Sequence, residues 1–136
     1  MTLNLYKSIS IVMAIIFALV GILFLFTSDG VLGLFNQISD AVGMEQAAPA
    51  TGHFYVILAV AYMYVVALLS FMMYRNPTSS VLPFLLFNAK GASFLISFFL
   101  FFLERHLLIY ITNAVVDGVI GLLVIIMYRN AKRRFE

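Results

Sequence analysis

Four long apolar runs leave this chain few folds to choose from. They read as about 5–27, 53–74, 80–103 and 107–129, each near the ~20 residues that a helix needs to cross hydrocarbon. Inside a bilayer no water is available to bond the backbone, so only helices and closed barrels can span it. The runs lack the polar–apolar alternation of barrel strands, which excludes a barrel. Hydrophobic residues make up 64% of the chain and charged residues 10%, against roughly 45–50% apolar usage in soluble domains. The expected fold class is therefore all-α integral membrane, a four-transmembrane-helix bundle forming a single membrane domain over residues 1–136.

The first run follows Lys7 and is longer than the apolar core of a signal peptide. Thr27-Ser28-Asp29-Gly30 leads into more apolar sequence instead of a cleavage site, so a retained helix is expected. Lys7, Arg75, Arg129, Lys132, Arg133 and Arg134 fall on one side of a four-span arrangement and only Arg105 on the other. That asymmetry places both termini in the cytoplasm. Tyr74-Arg75-Asn76 and Tyr128-Arg129-Asn130 read as matching helix exits at the headgroup layer. The chain has no cysteine, which excludes disulfides, thiolate metal sites and cysteine nucleophiles, and its net charge of +2 is too small to suggest nucleic acid.

Between the first two spans, Val31, Leu34, Phe35, Ile38 and Val42 recur at helical spacing, opposite Asn36, Gln37 and Asp40. A short amphipathic helix over about 31–43 is expected there, lying in the outer interface and ended by Gly43. The other connections are short. Pro77 blocks helix continuation in the inner turn, with Ser79 or Ser80 as N-cap. Only Glu104, Arg105 and His106 part the third and fourth spans, which must be antiparallel neighbours.

Lys90 and Asp117 stand about halfway along those two spans. A charge at the bilayer centre costs about 2.5–3.5 kcal/mol on insertion scales, so each needs a partner or a use. At 1.5 Å per residue, Lys90 lies ~15 Å and Asp117 ~18 Å from the cytoplasmic ends of their helices. They are therefore expected to pair across the hairpin. Tyr110, Asn113, Asp117 and Gly121 form one stripe of the fourth span, and Lys90, Ser93 and Ser97 one stripe of the third. Tyr64 is assigned to the same level, although Tyr62, about 200° around the second span, competes for the inward position. Asn88 falls on the other side of its helix and suggests a contact with another helix or subunit. A track of Ala14, Ala18 and Gly21 suits the first span to close packing.

Two readings of this centre stand side by side. A matched pair can lock the hairpin's register, or it can hold a ligand in a pocket that opens outward, because the cytoplasmic half below Lys90 is apolar apart from Asn88. His53 and His106 open the second and fourth spans at one interface, a depth match that permits haem or metal ligation. Solvated interfacial histidines are the plainer reading. No serine–histidine–acid order, phosphate loop or catalytic carboxylate pair is present in the sequence.

The order of an apolar helix, an amphipathic loop, a helix ending in Tyr74-Arg75-Asn76-Pro77, a helix with Lys90-Gly91 and a helix with Asp117-Gly118 resembles small bacterial four-span proteins that are loosely DoxX-like. The resemblance implies a four-helix bundle in the bacterial inner membrane, with the lysine and aspartate as shared polar positions. Residues and resemblance together suggest a non-enzymatic membrane protein, an accessory subunit or a small oligomeric bundle, with the lipid bilayer and other membrane subunits or a second copy as partners and no cofactor. The alternatives are a binding or transport protein for an amphipathic ligand at Lys90 and Asp117, and a haem- or quinone-binding redox subunit.

Overall fold

The computed structural model describes residues 2–48 and 53–135. Four helices follow one another: α1 Leu3–Ala41, α2 His53–Arg75, α3 Val81–Leu103 and α4 Leu108–Phe135. All four contain a stretch long and apolar enough to cross a membrane, and the described residues form no strand. Packing is strongest within two hairpins, α1 on α2 and α3 on α4; α2 leans on α3, and α1 meets α4 most loosely.

The expected break after the first span narrows to a single kink. At Thr27 the backbone leaves helical geometry (φ −136°, ψ 30°), then helix resumes to Ala41. The Thr27 hydroxyl donates to the Leu23 carbonyl at 2.8 Å, a back-bond of the kind that bends helices. Gly43 does end the helix. Its φ is +71°, Met44 N–H reaches Ser39 O at 2.8 Å and Gly43 N–H reaches Asp40 O at 3.3 Å, the paired bonds of a Schellman stop, which favours glycine at this position.

Beyond the kink the faces differ from expectation. Leu34, Ile38 and Val42 point outward, whereas Asn36, expected on the exposed polar face, turns inward. Its side-chain amide accepts from Ala47 N–H at 2.8 Å and donates to Ala47 O at 2.9 Å. That clasp folds the loop back, so Glu45 bridges to Leu107 beside the α3–α4 turn. The buried Ser39 lines the same small cavity as Glu45 and Leu107.

Pro77 explains why the two Tyr-Arg-Asn segments end differently. α2 stops at Arg75, before the proline, while α4 runs on through Arg129 and Asn130 to Phe135 because nothing there breaks it. Ser80 takes the N-cap position of α3 but makes no side-chain cap bond. Pro83 is buried in the first turn, where its missing N–H costs little.

The core fills the half of the bundle nearest the termini. Tyr6, Met13 and Phe17 of α1 meet Val66 and Met73 of α2, Leu86 of α3, and Val124 and Met127 of α4. Ser10 and Ser70, both fully buried, donate to the carbonyls of Tyr6 and Val66 one turn back, which satisfies them without a second helix. Outside, all four helices show leucine, isoleucine and valine, and α1, α2 and α3 show phenylalanine as well.

Of the expected track on α1, Ala14 and Gly21 are buried and Ala18 faces out. A Cβ on Gly21 would stand 3.1 Å from the Met63 Cβ, a tight contact that only a small give between the two helices relieves. Gly21→Leu should therefore destabilise the α1–α2 hairpin by about 1–3 kcal/mol. A lowered thermal midpoint of the detergent-solubilised protein would register it, with Gly33→Leu, where the space is open, as the unaffected control.

Candidate functional site

The centre forms because two hairpins bring one residue from each helix to a single level. Lys90 projects from α3 and donates from Nζ to Asp117 Oδ1 of α4 at 2.8 Å. Their side chains are 1% and 4% exposed. The ammonium also lies 4.6 Å from the Phe17 ring centre of α1 and 5.1 Å from that of Tyr62 of α2. Cation–π contact of this kind gains strength when water is excluded. One ammonium thus touches all four helices.

Tyr62, not Tyr64, supplies the inward tyrosine. Its hydroxyl donates to the Ala89 carbonyl of α3 at 3.0 Å, whereas Tyr64 is 66% exposed. The structure therefore corrects the assignment of Tyr64 to the centre. The two tyrosines share a depth, and the helix's rotation decides between them. Phe17 was not assigned a role from sequence, although it shares a stripe with Ala14 and Gly21 and so had to face inward once they did.

Towards the loop end, a second polar contact joins α3 to α4. The Asn113 amide donates to Ser97 Oγ at 2.7 Å and Ser93 Oγ at 3.1 Å. Ser93, Ser97 and Asn113 thereby form a bridge one to two turns from the ion pair. Tyr110 is half-buried and takes no part in it. The small Gly118 lets the hairpin close here, since a Cβ on it would come 3.1 Å from the Phe94 ring, whereas one on Gly121 would make only an ordinary contact with the Lys90 Cβ at 4.0 Å.

The centre is not fully satisfied. Among the described residues, Asp117 Oδ2 and the Tyr6 hydroxyl are buried without a hydrogen-bond partner. A carboxylate oxygen left this way in a dry interior invites a water, a proton or a ligand donor. Nearby, the loose α1–α4 contact leaves an apolar groove of about 360 Å³, lined by Ile9, Val12, Met13, Ile16, Phe17 and Ile120 among others. Phe17 is thus shared between the groove wall and the lysine's surroundings.

The histidines do not form a described pair. His106 is exposed in the α3–α4 turn, its ring packed edge-on against Phe101 at 5.1 Å, and the His53 side chain lies outside the described residues. No cluster of three or more metal-binding side chains occurs among the described residues. No protein-family model, curated protein or solved structure matches this chain.

Removing one member of a buried pair strands the other charge, at about 3–5 kcal/mol, whereas removing both leaves only a packing change. Lys90→Met and Asp117→Asn should each lower thermal stability more than the double variant does. A double-mutant cycle on unfolding in detergent measures the difference, and additive losses would contradict the pairing.

Proposed function

We propose that this chain is a non-enzymatic integral membrane protein, an accessory subunit of a membrane complex or a small oligomeric bundle. In this reading the four helices cross a bacterial inner membrane with both termini in the cytoplasm. The segment after Thr27 lies in the outer interface, where Leu34, Ile38 and Val42 meet the acyl boundary. The outward leucine, isoleucine and phenylalanine faces support immersion in lipid, which solvates them without cost.

One observation carries the reading of the centre. Lys90 and Asp117 spend their charges on each other and on rings from the two remaining helices, which suits a latch that holds the hairpins in register. Work with partners then falls to the outer faces. Two outcomes are expected in native membranes. Alkaline carbonate should leave the protein in the pellet, and native mass spectrometry after mild extraction should find it in a species heavier than the 15.2 kDa chain. Recovery only as that single chain would overturn the subunit reading.

The α1–α4 groove favours a second reading, binding of an amphipathic ligand. A tail in the groove would reach Phe17, behind which lie the Lys90 ammonium and the orphan Asp117 Oδ2. A protonated carboxylic acid fits these groups better than an oxidised quinone, because its carbonyl can accept from the lysine while its O–H donates to Oδ2. Ile16→Trp, which fills the groove from its open side, should weaken binding of a fluorescent long-chain acid about tenfold or more. Unchanged binding would dismiss this reading.

A further inference from the structure

The outward face of α3 carries a carboxamide two turns in from its N-terminal end. Asn88 is exposed, and its Nδ2 donates to the Phe84 carbonyl of its own helix at 2.8 Å. An asparagine amide has two donors and an acceptor oxygen, so one N–H and Oδ1 remain open. In hydrocarbon such groups seek a partner on another helix.

Neighbouring positions say what shape that partner has. Leu85, Asn88, Ala92, Leu95 and Phe99 are all exposed and spaced 3, 4, 3 and 4. This is the a/d seam of a left-handed helix pair. Ala92, one turn beyond the asparagine, keeps the backbones close. Beside it, no atom comes within 4 Å of where a Gly91 Cβ would stand. The seam is small at its centre and broad at both ends.

We infer that this face joins two copies of the chain in a parallel dimer, with Asn88 of each copy bonded to Asn88 of the other. The inference deepens the proposed subunit reading and rests on membrane insertion. A second copy fits because a carboxamide is its own complement: across a twofold axis each Oδ1 accepts an N–H from the opposite side chain. Copies inserted in one orientation run α3 parallel to α3, so equal positions meet. A lone asparagine in such a seam also fixes register and partner number.

The absence of cysteine from the sequence makes the test direct. Single cysteines at Leu85, Ala92 and Leu95 are oxidised in membranes, with Leu19→Cys and Leu122→Cys, exposed on α1 and α4, as controls. Disulfide-linked dimer is expected at the α3 positions and not at the controls. Adding Asn88→Leu to Ala92→Cys should cut the linked fraction about threefold or more without unfolding the bundle, since Asn88 is exposed and its side-chain bond within the chain stays inside α3. Equal linkage on all faces, none on α3, or linkage indifferent to Asn88→Leu would overturn the dimer. Protein that resists carbonate yet fails these tests refutes the dimer alone, while release by carbonate refutes the membrane reading beneath it.

Discussion

The structure turns on how one ammonium is kept in a dry interior. Lys90 finds a carboxylate on α4 and aromatic faces on α1 and α2, so every helix contributes to its cover. Apolar packing alone would not define such a bundle sharply. Where lipid is as apolar as the core, little drives leucine faces together, and specific contacts set the register. The ion pair and the Asn113 bridge to Ser93 and Ser97 supply these contacts for α3 and α4. Gly21 against Met63 supplies close fit for α1 and α2.

Much of this is visible in the amino-acid order. Run lengths locate the four helices, and the short α3–α4 turn with the matched depths of Lys90 and Asp117 brings these two residues together. The rotation of α2 is not visible. Aromatic and aliphatic residues surround that helix, so Tyr62 and Tyr64 carry equal signals, and only tertiary contacts with Ala89 and Lys90 select the former. The kink was hidden for a related reason. Thr27-Ser28-Asp29-Gly30 reads as a break between the first span and the amphipathic segment, yet a threonine bonded to its own helix bends the chain without ending it. Asn36 shows the limit of periodicity: its amide faces inward because the returning loop offers both a donor and an acceptor at Ala47, a contact no helical wheel contains.

Polar groups elsewhere follow one economy. Ser10, Thr27, Ser70, Asn88 and Asn130 each donate to a carbonyl four residues back on the same helix. A hydroxyl's one donor is served this way, whereas a carboxamide keeps a second N–H donor. That difference separates Ser10 and Ser70, which disappear into the core, from Asn88, which stands on the surface with groups to spare.

The four-residue turn between Leu103 and Leu108 also bears on how such a chain is made. Lys90 leaves the ribosome before Asp117, and α3 alone would present the bilayer with an uncompensated cation near its midplane. With so little chain between them, α3 cannot travel far from α4 before its counter-ion appears. In the proposed bilayer setting, a turn this short would let the two helices enter lipid as one hairpin whose Lys90 and Asp117 charges cancel, a role beyond that of a connector.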